Sequence, residues 1–319
     1  METYQKINTL YRRYAFEAKD CPNTKWLKMR NKIILGDFSD KEAEYLFDCQ
    51  WEAYSKIDGT CSKICFYPSS GEIKIGGKTD NTSSMHGQFE MLQEIADRIK
   101  PILCEMFPKE SARFTEVKGN NNKVQYYDVH ADFNEYDEKT MVAKLQTKFD
   151  KKDAILLSGL YGVELEEVPI YIYGEYFGEG IQKCGKRYIE KGNAFRVFDI
   201  RQQGWWTPKE VRDEMCKQLG LETVPYLGNM TLREIENLVR GGFTTKVDGA
   251  ADPTLIEEGI VARPTIPLNN GRGNRIIVKV KYCDYIEYDT VRKEFTDEEF
   301  AEFETWYKEH SIDYLWKSF

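Results

Sequence analysis

Two short extended runs, Ser62 to Tyr67 and Glu72 to Gly76, flank Pro68-Ser69-Ser70-Gly71 and predict a β-hairpin. The chain enters that hairpin through Ser55-Lys56-Ile57-Asp58-Gly59-Thr60, and Trp51-Glu52-Ala53-Tyr54 comes just before it. Lys56 is therefore expected where one strand ends and the next begins. A lysine beside a carboxylate and a glycine turn suits a nucleophile. At its reference pKa, only about one lysine in 2,500 is neutral at pH 7, so such a site needs burial and neighbouring cations to release the proton. On these residues alone, a solvated surface turn is the alternative.

Composition narrows the function classes. With 319 residues, two domains or one large catalytic domain fit, and 41% hydrophobic residues can fill a core. The net charge of -8 excludes a chain that binds nucleic acid over its whole surface, so any RNA or DNA must be held by a local basic patch. The eight cysteines are scattered without a C-x-x-C pair, and three histidines are too few for a zinc set. Cys61 and Cys65 are the one close pair, and the set reads as reduced thiols. No apolar run reaches membrane-spanning length, and the N-terminus lacks a signal-peptide core. A soluble cytoplasmic protein is expected.

Along the chain, Asp40 to Phe47 has helical character, and residues 1–50 read as a leader packed beside the Lys56 strand. After the hairpin, Gly76-Gly77-Lys78-Thr79-Asp80-Asn81 offers Lys78 either to a phosphate or to solvent. The spacing Phe89, Leu92, Ile95, Ile99, Leu103 predicts an amphipathic helix that Pro101 should kink or split. Asn120-Asn121-Asn122 marks a loop and Tyr126 to Phe133 a strand. Val168 to Tyr173 predicts a strand running into Gly174-Glu175-Tyr176-Phe177-Gly178, with Glu175 framed by glycines at its end, as a ligand group or as a structural salt-bridge partner. Phe195 to Ile200 predicts another strand, whose aromatics are core or a flat wall for a purine. Capping boxes at Thr207 to Glu210, Thr231 to Glu234 and Thr296 to Glu299 open three helices, the first closing at Gly220 and the second near Gly241-Gly242. Trp205-Trp206 is read as a core anchor. Glu257-Glu258 precedes an apolar strand. In Arg275 to Lys281, alternation puts Ile277, Lys279 and Lys281 on one face and Ile276, Val278 and Val280 on the other.

The ordered set resembles the covalent nucleotidyltransferase superfamily of polynucleotide ligases and capping enzymes. Lys56-Ile57-Asp58-Gly59 resembles motif I, Gly174 to Gly178 motif III, Phe198-Asp199-Ile200 motif IIIa, Glu258 to Val261 motif IV, and Lys279-Val280-Lys281 motif V. Gly77 to Asn81, Ile181-Gln182-Lys183 and Gly204-Trp205-Trp206 are similar to stretches of phage-type RNA ligases, nearest the branch that seals double-stranded RNA. The likeness runs from about residue 45 to 285. It implies an α+β fold, an ATP-grasp-like ligase adenylation domain of antiparallel sheets flanked by helices, with boundaries at 1–50, 51–285 and a helical tail at 286–319.

The implied activity is ATP-dependent RNA ligation, joining 5′-phosphate and 3′-hydroxyl RNA ends through lysyl-AMP and RNA-adenylate, as in RNA repair. By the same resemblance Lys56 is the nucleophile, while Lys279 and Lys281 hold the phosphates and help lower its pKa. Lys78 contributes to nucleotide binding, where relatives often carry an arginine that grips phosphate bidentately. Phe198 stacks on adenine. Asp58, Glu175 and Glu258 hold hydrated Mg²⁺, with Mn²⁺ as substitute, and Glu175 also contacts ribose. No membrane and no obligate protein partner is implied. Since 38 residues follow Lys281, strand choice is expected from the core, the tail or residues 1–50. Competing readings are a DNA ligase, a GTP-using capping enzyme, and a catalytically silent RNA-end binder.

Overall fold

The computed structural model describes residues 3–68, 70–78, 87–107, 114–118, 124–129, 166–167, 169–202, 205–271 and 273–311. Residues Thr79 to Asn81, Asn120 to Asn122, Phe133 and Gly204, which carried expectations above, lie outside them. The chain divides into two compact units, Met1–Tyr4 with Gly59–Thr223, and Gln5–Asp58 with Val224–Phe319.

The first unit is built on the sheet β12-β11-β10-β5-β6. The predicted hairpin is present as β5 (Thr60–Tyr67) and β6 (Glu72–Gly77). β5 pairs antiparallel with β10 (Ile170–Gly178), which pairs antiparallel with β11 (Asn193–Gln202). β12 (Trp205–Trp206) continues the meander, and β13 (Glu222–Thr223) joins β11 in parallel. β7 (Phe114–Lys118), β8 (Val124–Val129) and β9 (Glu166–Glu167) form a separate small sheet.

Alternation along β5 and β10 buries Ile64, Phe66, Ile170 and Ile172 on one face, where they meet Leu92, Ala96, Ile99 and Leu103 of α3 (Gln88–Met106) and Met215 and Leu219 of α5 (Lys209–Leu219). Of the kink or split expected at Pro101, the split does not occur, and α3 runs through it. Pro101 and Asp97 both face solvent, so water can satisfy the Asp97 carbonyl that loses its partner.

Three further expectations fail here. β10 does not end before Glu175 but carries it mid-strand, with a register shift at Tyr173/Gly174. No capping box opens α5: its N-cap is Pro208, and the Thr207 hydroxyl donates to the Ile200 carbonyl at 3.0 Å. Trp205 is 73% exposed and not a core anchor. Trp206 packs against Tyr4 and Tyr173. Between β10 and β11 lies α4 (Gly185–Tyr188).

The second unit is built on the sheet β1-β16-β15-β4-β14. β4 (Trp51–Ser55), β14 (Tyr226–Met230), β15 (Gly259–Pro264) and β16 (Val278–Lys281) are antiparallel, while β1 (Asn8–Thr9) lies parallel to β16. β2 (Tyr11–Arg13) and β3 (Ile33–Phe38) form a ribbon, followed by α2 (Lys41–Tyr45), and α1 (Thr24–Leu27) lies between its strands.

The expected alternation near β16 holds only from Val278. Ile276 and Ile277 are both buried, whereas Lys279 and Lys281 stay half-exposed between buried Val278 and Val280. α6 (Leu232–Gly241) and α8 (Asp297–His310) open with the predicted capping boxes, and α6 closes at Gly242, whose φ is +76°. α7 is Tyr282–Arg292. The core joins distant stretches: Tyr14 and Phe16 pack against Phe303, Trp306 and Tyr307 of α8. Burying such aromatics is the main stabilising contribution of this kind of contact.

Candidate active site

In an antiparallel sheet the end of one strand lies beside the start of its neighbour. β4 ends at Ser55, opposite Ile260, and Gly259 lies opposite Lys281 at the end of β16. Lys56, Glu258 and Lys281 therefore leave the sheet at the same edge. The Lys56 amide donates to the Gly259 carbonyl at 2.9 Å, and the Tyr282 amide donates to the Glu258 carbonyl at 2.9 Å. Gly259 is needed there, because a Cβ would meet the Val280 carbonyl and its φ is +156°.

The side chains then converge. Lys56 Nζ lies 2.5 Å from Glu258 Oε2, and Lys281 Nζ lies 2.6 Å from Glu258 Oε1. One carboxylate thus holds two ammonium groups, all three side chains being partly shielded from water. Burial works to lower the Lys281 pKa, but the hydrogen bond and charge of Glu258, with Cys283 and Asp284 adding to them, hold it above the ordinary lysine value. Lys281 is a fixed cation at neutral pH. Lys279 lies two residues earlier on β16, opposite Val261, and so on the same face as Lys281. Asp58 follows Lys56 by two residues and is half-buried.

The first unit carries the other expected residues. Lys78 is exposed just past the end of β6. Glu175 lies between Cys61 of β5 and Arg196 of β11, and Tyr173 between Lys63 and Asp199. The Cys61 thiol registers the surrounding charge: burial raises its pKa most, Glu175 and Asp199 raise it further, Lys78 and Lys63 lower it, and the balance pushes it up to about 12. Glu175 and Lys78 thus act on one neighbourhood, which also contains the fully buried Lys63.

Phe198 is half-exposed, while Phe195 belongs to the core. Tyr4 sets its ring edge against Phe198 with centroids 5.0 Å apart, and its hydroxyl donates to Asp199 Oδ2 at 2.5 Å. Tyr4 and Lys63 were missed by the sequence reading. A charge at an alternate position of a predicted strand signalled Lys63, whereas nothing local signals Tyr4.

Carboxylate oxygens suit hard cations such as Mg²⁺ or Mn²⁺, and Asp58 and Glu258 of the second unit and Glu175 of the first each carry a carboxylate. Both Glu258 oxygens face ammonium groups in this structure, and a cation there would displace one of them. Among the described residues, no three His, Cys, Asp or Glu side chains are gathered as a metal site.

The family model for RNA ligase matches residues 50–281, well over half of the chain. The chain belongs to the RNA ligase family. Solved structures of Naegleria gruberi RNA ligase are among those it is similar to. A mutant with ATP and Mn is 16% identical over 79% of this chain and 55% of that one, at a TM-score of 0.44. A mutant with AMP and Mn is 15% identical over 79% and 55%, at 0.43. A third, again with ATP and Mn, is 15% identical over 92% and 64%, at 0.44. The chain thus spans a little over half to just under two thirds of the length of these structures. No curated protein matches the chain. Among the described residues, no helix of this RNA ligase family member is long and apolar enough to cross a membrane.

Proposed function

We propose that this chain is an ATP-dependent RNA ligase of the phage-type, double-strand-sealing branch, acting in the cytoplasm, of a host cell if it is phage-encoded. The observation that carries this reading is the sharing of Glu258 by Lys56 and Lys281. It sets an amine with a hydrogen-bonded acceptor beside a fixed cation, as nucleophilic attack at a phosphate requires.

In this reading Glu258 Oε2, 2.5 Å from Lys56 Nζ, takes the Lys56 proton. Lys56 Nζ bonds to the α-phosphorus of ATP, and pyrophosphate leaves. Lys281 and Lys279 offset the charge that builds on the phosphate oxygens. The AMP then passes to the 5′-phosphate of an RNA end, which frees Lys56. Finally a 3′-hydroxyl attacks that RNA phosphate, a phosphodiester forms and AMP departs.

By the family resemblance Phe198 would stack on adenine, Glu175 would contact ribose, and Lys78 would meet a phosphate. A divalent ion, Mg²⁺ or Mn²⁺, held by Asp58, Glu175 and Glu258 would supply further positive charge at the phosphates. The experiment is to offer one preparation a nicked RNA duplex, a nicked DNA duplex and a single RNA strand, each with 5′-phosphate and 3′-hydroxyl ends. Joined RNA, with the duplex preferred, is expected. Sealing of DNA alone, or joining with GTP and not ATP, would overturn the reading.

A further inference from the structure

One basic feature of the second unit reaches beyond the residues of the nucleotide chemistry above. A cleft of about 630 Å³ is walled by Lys6, Arg12 and Arg13 together with Lys279 and Lys281. Strand pairing explains how they meet. β1 lies parallel to β16 with Thr9 opposite Lys279, and the Leu10 amide donates to the Lys279 carbonyl at 3.0 Å. The N-terminal segment therefore crosses beside the two family lysines, with Lys6 before the crossing and the arginines after it.

The cations differ in how far they are neutralised. Arg13 is anchored by Asp284 at 2.7 Å and by the Asn31 carbonyl. Arg12 has Asp37 at 3.9 Å, and both of these side chains are partly exposed. Lys6 is exposed. No carboxylate is among the described residues that line the cleft. A local concentration of cations in a chain of net charge -8 raises the local concentration of anions. The volume falls in the range of about 300–1,000 Å³ typical of ligand clefts, far more than one pyrophosphate fills. Lys281, in its wall, is separated from Lys56 only by the Glu258 carboxylate they share.

We propose that this cleft binds successive backbone phosphates of the RNA strand whose phosphorylated end is joined, with Lys6 and Arg12 as its contacts farther from the nucleophile. The inference rests on the ligase reading and names the substrate subsite. Its test uses the full chain and a labelled 5′-phosphorylated RNA oligonucleotide, with binding measured from low to moderate salt. Lys6→Ala with Arg12→Ala is expected to weaken binding about 10-fold and to reduce the salt slope by about 1.4, each single-strand phosphate contact contributing about 0.7. Lys6→Arg with Arg12→Lys should bind as the wild type does.

Unchanged affinity and slope in the alanine pair would overturn the proposal, as would a charge-conserving pair that binds no better than the alanine pair. So would an alanine pair whose RNA binding is intact but whose self-adenylation has lost sensitivity to added pyrophosphate. Self-adenylation is read without RNA. A wild-type chain that binds RNA through Lys6 and Arg12 yet forms no lysyl-AMP would overturn the ligase reading and leave the cleft as an RNA-binding site alone.

Discussion

The two units place chemically different groups on sheets built by the same rule. In the second unit, ionic groups sit at the strand ends and are held by one another, as Lys56, Glu258 and Lys281 are. In the first, a continuous apolar layer under β5, β10 and β11 packs on α3 and α5. That sheet also carries the aromatic residues Tyr173 and Phe198, with Tyr4 against both. The contrast teaches that a charged edge suits work on phosphate, whereas an aromatic face suits a flat apolar ring.

The largest effect should come from emptying the first unit's core. Leu92 is fully buried, and Leu92→Ala is expected to cost about 2–5 kcal/mol. Hydrogen exchange should then accelerate in β10 and β11 much more than in β15 and β16. Equal acceleration in both sheets would break the division into two units. Next, Glu258→Gln leaves two ammonium groups without their shared anion, and self-adenylation should slow about 10²–10³-fold, read as the rate of label transfer from ATP. A rate within about twofold of wild type would remove Glu258 from the chemistry.

Phe198→Ala tests the aromatic face and should raise the KM for ATP about 5-fold with less change in kcat, a loss of stacking worth about 1 kcal/mol. A pure kcat effect would contradict that role. The smallest effect compares two threonines. Thr231→Ala removes a true capping box and should cost about 1 kcal/mol in chemical denaturation, with fraying at the start of α6. Thr207→Ala should instead disturb β11, through the lost bond to Ile200, and leave the start of α5 intact.

Lys281 adds a pH signature to the second unit. Its folded pKa is raised, so its stabilising contribution is fully present below the ordinary lysine pKa, about 10.4, and is lost as pH rises through the higher folded value. Lys281→Met should therefore flatten the alkaline limb of the stability profile. An unchanged limb would show that the Glu258 contact does not raise it.

Much of this was legible in the sequence because strand alternation and cap chemistry are local. The hairpin, the helices at Thr231 and Thr296, and the half-exposed register of Lys279 and Lys281 follow from residues within a few positions of each other. What failed was set by partners outside the few positions that a local pattern spans. Thr207 looks like a cap but finds the Ile200 carbonyl, and Trp205 looks like an anchor but its neighbour Trp206 takes the aromatic contacts. Lys56, Glu258 and Lys281 were each marked as candidates, yet their meeting depends on the pairing of β4, β15 and β16, which no local pattern encodes. The cleft beside Lys279 was missed for the same reason, since Lys6 and Arg12 become its walls only once β1 lies against β16.

The central claim is that Lys56 Nζ becomes bonded to phosphorus. The direct measurement is incubation of the wild-type chain and Lys56→Ala with ATP labelled at the α-phosphate and a divalent cation, followed by acid treatment and peptide mapping. An acid-labile adduct on the peptide containing Lys56, absent from the alanine variant, is the predicted result. No adduct on the wild type, or one that persists in Lys56→Ala, would contradict the account.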